Sequence, residues 1–159
     1  MTSAYVVATA RRYLNLPTRH QGRTDATDCV GLVLAVAEDL ALLDVAGVPI
    51  LRAQYANYSA QPADGFVHEE CKRRLVVRKL PTKRDSLERL REELEPGDVL
   101  TMRLPRVPCH TAIVCEVQGA PGIIHAYSPV GRVVEHRLDV AWLHRIAGVF
   151  RFPGVVSGG

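Results

Sequence analysis

The sequence predicts an α+β domain in which N-terminal helices pack on a C-terminal antiparallel β-sheet. Two amphipathic or apolar segments with helical spacing occupy the first third of the chain. From Pro96-Gly97-Asp98 onward, short β-prone runs alternate with turn residues. The two patterns are segregated along the chain rather than alternating as βαβ units. One domain is expected over residues 1–153, with 154–159 as a flexible Gly/Ser-containing tail.

Taken in order, Val6, Val7, Ala10, Tyr13 and Leu14 recur at helical spacing and predict a helix over Ser3 to Leu14, with Thr2 or Ser3 as N-cap. Pro17 and the polar run to Thr27 read as loop. Asp28 is placed as the N-cap of a second helix, Cys29 to about Leu43. That helix is apolar almost all round (Val30, Leu32, Val33, Leu34, Val36, Leu40, Leu42), the pattern of a helix buried at the centre of a domain. Residues 52–95 are the least legible, with helical charge and leucine spacing over Asp64–Arg74 and Arg84–Leu94 around a short strand at Leu75–Leu80. Strands are expected at Val99–Leu104, Thr111–Val117, Gly122–Ala126 and Arg132–Arg137. A short helix at Val140–Arg145 and a last strand at Gly148–Phe152 follow.

Composition narrows the function classes. The 159 residues are 47% apolar and 23% charged, enough for a real core and too few charges for disorder. A net charge of +3 is far from the basic stripe that nucleic-acid binding requires. The densest basic run, Lys72-Arg73-Arg74 with Arg78, Lys79, Lys83 and Arg84, has no interleaved aromatics and reads as a solvated face. No stretch approaches the roughly 20 apolar residues of a membrane-spanning helix. The N-terminal run Tyr5–Ala10 precedes Arg11 and Arg12 and lacks a cleavage site, so synthesis in the cytoplasm without a signal peptide is expected. Glycine loops that cradle phosphates are absent, and no cofactor is implied. Cys29, Cys71, Cys109 and Cys115 form no CxxC pair. Cys109, His110, Cys115 and His125 match no common zinc spacing, so no metal is expected.

The chemistry concentrates on Cys29. A cysteine just after an N-cap sits where free N–H groups and the helix dipole favour a thiolate, so a lowered thiol pKa is expected. On that position alone, a small core hydrophobe remains the alternative. His110 opens the strand His110-Thr111-Ala112-Ile113-Val114, and His125 lies near the end of the next, Ile123-Ile124-His125-Ala126. Antiparallel pairing of these strands would set both imidazoles on one face. A base near a thiol, held by a second polar group, is the general form of an activated nucleophile. By pattern His68, His136 and His144 look solvated, and Cys109 is a weak rival nucleophile.

Four segments in order, Asp28-Cys29-Val30-Gly31-Leu32-Val33, Pro96-Gly97-Asp98-Val99-Leu100, His110-Thr111-Ala112-Ile113-Val114 and Ile124-His125-Ala126, resemble the motifs of the NlpC-type papain-like cysteine peptidases. Leu16 to Arg23 and Phe150-Arg151-Phe152-Pro153 are similar to segments of the branch that phages and prophages encode for their tail tips. The resemblance implies a papain-like NlpC-type fold and cleavage of peptidoglycan stem peptides at the γ-D-glutamyl–diamino acid bond. It makes Cys29 the nucleophile, His110 the base and His125 its orienter, with oxyanion support from N–H groups opening the Cys29 helix. Thr18, His20, Arg23, Asp28 and Val30 become substrate-binding candidates. Thr18 stands where many members have an aromatic residue, often tyrosine. The implied partners are stem peptides and tail hub or tail-tip proteins, with action at the virion tail tip in the periplasm or wall. The alternatives are an inert structural tail module of the same fold and a secreted antibacterial amidase toxin.

Overall fold

The computed structural model describes residues 1–21, 26–55, 65–106 and 108–158. Among these, helices α1 (Ser3–Arg11) and α2 (Cys29–Asp39), a 3-10 turn at Arg52–Tyr55 and α3 (Phe66–Arg74) come first. Strand β1 (Val76–Lys79) and helix α4 (Leu87–Glu93) follow. The chain continues through β2 (Val99–Arg103), β3 (Pro108–Val117), β4 (Ala120–Tyr127), β5 (Arg132–Arg137), helix α5 (Val140–Leu143) and β6 (Ile146–Arg151). The strands form one sheet in the order β1-β6-β2-β3-β4-β5, every neighbour antiparallel. The α+β class expected from the sequence is the class observed. No helix among the described residues is long and apolar enough to cross a membrane.

Alternation along the strands sorts the core into two layers. Val99, Ile113, Cys115, Ile124 and Phe150 face α1 and α2. Leu100, Met102, Ala112, Val114, Ile123 and Val149 face the opposite side, covered by Leu90 and Leu94 near α4 and Leu143 of α5. Helix α2 lies between α1 and the sheet, which explains a sequence apolar on nearly every side: Gly31 to Ala37 are all buried. It starts where it was expected because the Asp28 carboxylate accepts the Gly31 N–H at 2.7 Å. It stops at Asp39, four residues earlier than read, with Ala41 at φ +51° turning the chain.

Pro96-Gly97-Asp98 serves the architecture. Gly97 adopts φ +88°, and a Cβ there would sit 2.8 Å from that of Ser3. Asp98 is fully buried and accepts from Arg151, Arg78 and the Glu95 N–H, tying β1, β2 and β6 together.

Three expectations change. Arg74, read as part of a solvated basic face, is 6% exposed. It pairs with buried Asp44 at 2.8 Å and donates to Gln54 and Tyr55, because α3 turns it inward against the 3-10 segment. His68 also departs from the solvated reading: its Nδ1 lies 2.7 Å from Thr101 Oγ1 and its ring packs edge-on against Phe150. The segment 154–158, expected to be a flexible tail, is docked. Val155 is buried in the core, Val156 bridges to Thr2 and Ser157 bonds Arg151 and Glu95. The apolar pair Val155-Val156 decides this, whatever the flanking glycines allow.

Candidate active site

The β3–β4 ladder runs from Val117 paired with Ala120 to Ile113 paired with Ile124, and then stops. Beyond that point β3 stays with β2, where Met102 pairs with His110, and β4 stays with β5, where His125 pairs with Val134. A cleft of about 590 Å³ opens at this split. Cys29, Cys109, His110, Tyr127 and Arg145 are among its lining residues. Helix α2 brings Cys29 to it from the helical side. His110 shares the face of Ala112 and Val114.

His110 Nε2 and His125 Nδ1 are 2.7 Å apart, with the rings edge to face. This is the side-by-side placement that strand pairing predicted, as a diagonal rather than a directly opposed pair. His110 is 5% exposed and His125 is fully buried. Burial, with the Arg145 cation adding to it, holds the His110 pKa down at about 4. Burial and the two flanking imidazoles push His125 to about 2. Both rings are therefore neutral at pH 7.

Cys29 departs from the expected thiolate. It is half-buried, and loss of hydration raises its pKa to about 11. Thr111 pulls the other way. Desolvation is the largest influence on the thiol, with the Asp28 and Cys109 neighbours adding to the rise. Its Sγ lies 3.9 Å from the Cys109 carbonyl, and no hydrogen bond joins it to His110 among the described residues. The Thr111 hydroxyl donates to the Cys29 carbonyl at 2.7 Å, which anchors the first turn of α2 to β3.

Of the substrate-binding candidates, Thr18, His20 and Asp28 line the cleft. Thr18 is held by a bridge to Thr27 and its N–H donates to the Gly131 carbonyl. Asp28 caps α2, accepts the Gln21 N–H at 2.8 Å and sits 3.4 Å from His20 Nδ1. Its carboxylate organises the cleft wall. Val30 points elsewhere: it lines a small apolar recess with Val33, Cys71 and Phe152, because the helix turns it toward the core. Arg23 lies outside the described residues.

Four residues that the local sequence pattern does not mark join the site. His136, expected to be solvated, lies with Nε2 2.8 Å from His125 Nε2 and Nδ1 2.8 Å from the Arg137 carbonyl oxygen. Its pairing with Ile123 puts it on the His125 face of β5, a register visible only once the strands are aligned. Trp142 meets His110, His125 and His136 with centroids 5.0–6.3 Å away, while Tyr127 stacks on His125 at 5.1 Å. Together they shield His110 and His125 from water, while His136 at the end of the row stays partly exposed. Arg145 stacks over Trp142 at 4.6 Å and faces the cleft. Among the described residues no carboxylate lies within ion-pair distance of it. No group of three or more His, Cys, Asp or Glu suited to a metal ion occurs among the described residues.

No family model matches the chain, and comparison with curated proteins gives no match. Solved structures do resemble it. An NlpC/P60 family protein from Bacillus cereus superposes with a TM-score of 0.59 at 18% identity over 96% of this chain. The match spans 40% of that longer protein. The NlpC/p60 domain of the peptidoglycan hydrolase SagA gives 0.53 at 20% identity, over 96% of this chain and all of that one. An N-acetylmuramoyl-L-alanine amidase from Bacteroides uniformis gives 0.51 at 12% identity, covering 91% and 96% of the two chains. At these identities the likeness is one of fold, and the fold is the NlpC type.

Proposed function

We propose that this protein is a cell-wall hydrolase, a cysteine endopeptidase that cuts peptidoglycan stem peptides at the γ-D-glutamyl–diamino acid bond. The observation that carries the reading is the meeting of Cys29 and His110 in one cleft, with His110 held by His125 at 2.7 Å. Structural neighbours that include a peptidoglycan hydrolase and a cell-wall amidase support the same substrate class. Arg145 adds a local argument, since its guanidinium faces the cleft with no carboxylate partner among the described residues, an arrangement that suits a carboxylate-rich peptide.

His125 occupies His110 Nε2, so Nδ1 is the nitrogen left to take a proton. As Cys29 Sγ attacks the scissile carbonyl carbon, its proton passes to His110 Nδ1. The oxyanion is held by N–H groups at the start of α2, a contribution of about 10²–10³ in rate for one such donor in other enzymes. The C–N bond then breaks as the imidazolium protonates the leaving amine, giving a thioester on Cys29. Water, deprotonated by His110, hydrolyses it. The resting pair is neutral, so proton transfer accompanies attack rather than preceding it.

A place at a phage or prophage tail tip, with action in the wall, belongs to the same proposal. Its support is the likeness of residues 16–23 and 150–153 to that branch, and its partners would be tail hub proteins. Mass spectrometry of fragments released from purified peptidoglycan tests the reaction. The proposal expects new ends at D-glutamate from wild type and none from Cys29→Ala. Fragments cut between muramic acid and L-alanine would make the protein an amidase. No release by folded wild type would leave an inert tail module of the same fold.

A further inference from the structure

Three imidazoles form one continuous chain: His110 Nε2 to His125 Nδ1 at 2.7 Å, then His125 Nε2 to His136 Nε2 at 2.8 Å. The chain ends at His136 Nδ1, 2.8 Å from the Arg137 carbonyl oxygen. An imidazole nitrogen can be donor or acceptor, so each of the first two contacts could run either way. The last one cannot, because a carbonyl oxygen only accepts. His136 must therefore carry its proton on Nδ1, which makes its Nε2 an acceptor. His125 then donates from Nε2 and accepts at Nδ1. His110 in turn donates from Nε2 and keeps a bare lone pair on Nδ1.

We propose that His136 is a positioning residue: anchored on the Arg137 carbonyl, it fixes the tautomers of His125 and His110 and so keeps His110 Nδ1 free to act as base. The inference rests on the Cys29–His110 reading above. Without the anchor, the opposite polarity becomes available. His125 would then donate from Nδ1, and His110 would carry its proton on Nδ1, where it blocks proton uptake. His136 is itself partly exposed, but Trp142 packs against all three rings and Tyr127 stacks on buried His125, so leucine at 136 would leave His125 Nε2 without its side-chain acceptor. Removing outer hydrogen-bond partners that orient metal-ligating histidines typically costs about 10- to 100-fold, and an effect of that order is expected for this imidazole chain.

The test is nitrogen NMR of histidine-labelled protein at pH 8, where an ordinary imidazole is neutral, together with turnover of peptidoglycan fragments. Wild type should show His110 and His125 protonated on Nε2 alone and His136 on Nδ1 alone. In His136→Leu the His110 proton should redistribute toward Nδ1, with kcat falling about 10- to 100-fold and KM little changed. His136→Gln, whose side-chain oxygen can still accept from His125, should retain the wild-type tautomers and most of the rate. A His110 proton on Nδ1 in wild type overturns the inference, and so do unchanged tautomers in a folded His136→Leu. The tautomer signals read out even if peptidoglycan is not the substrate, so failure of the inference and failure of the proposed function are separable.

Discussion

Alkylation of Cys29 across a pH series reads the charge state of the resting catalytic pair. The perturbation is a pulse of iodoacetamide at each pH from 6 to 9.5. Trypsin then isolates Cys29 on the peptide spanning residues 24–52, which holds no other cysteine. With a thiol pKa of about 11, the thiolate fraction at pH 7 is about 10⁻⁴. An ordinary thiol near 8.5 would have about 3 × 10⁻² at that pH. A thiolate of higher pKa is intrinsically more reactive, and a Brønsted slope of about 0.4–0.5 recovers roughly tenfold of the 300-fold deficit. Cys29 should therefore alkylate about 20- to 30-fold more slowly than a free cysteine at pH 7, before any allowance for its burial. The rate should climb about tenfold per pH unit up to the top of the range. Site-resolved mass spectrometry gives the rate directly. A fast rate that is flat between pH 6 and 8 would mean a preformed thiolate–imidazolium pair and would refute a thiol raised by burial.

Further outcomes follow from the same site and its frame. His110 and His125 have folded pKa values of about 4 and about 2 against 6.5 for an ordinary histidine, so the unfolded chain binds more protons below 6.5. Stability should be complete above pH 6.5 and lost as pH falls toward 4, at about 1.4 kcal/mol per pH unit for each histidine. Urea titrations of His125→Asn should show about half that slope. Arg145→Leu should raise KM several-fold for stem peptides through loss of a carboxylate partner. It should also move the acid limb of kcat/KM upward, because removing the cation lets His110 protonate more easily; an unmoved limb would contradict the assigned cause. Asp98→Asn should cost about 3–5 kcal/mol in denaturant unfolding, since it strips a buried carboxylate from Arg78 and Arg151. A loss below 1 kcal/mol would show that the pairing matters little.

The sequence carried the helices, the sheet class and the pairing of His110 with His125 because each rests on local periodicity. An N-cap aspartate, a run of apolar residues and strands broken by Pro-Gly turns are written within a few positions of one another. The parts it concealed depend on register or burial. His136 joins the chain only because β5 aligns Ile123 with His136, and nothing in Arg132–Arg137 alone distinguishes it from a surface histidine. The helix start beside Cys29 is visible in the sequence, whereas the burial that raises its pKa is tertiary. Arg74 and Val155 were misread for the same reason, a basic run and a glycine-flanked end masking side chains that the fold buries. Val30 sits one residue from the nucleophile yet faces the core, a reminder that neighbours in a helix point about 100° apart.

Catalysis by Cys29 requires an acyl bond between its Sγ and the substrate. The most direct measurement is rapid acid quenching during turnover of purified stem peptides, followed by tryptic mapping of the covalent adduct. An acyl mass is expected on the peptide of residues 24–52 in wild type and is absent in Cys29→Ala. An adduct on the peptide of residues 107–132, which carries Cys109 and Cys115, would contradict catalysis by Cys29. So would continued product formation by folded Cys29→Ala.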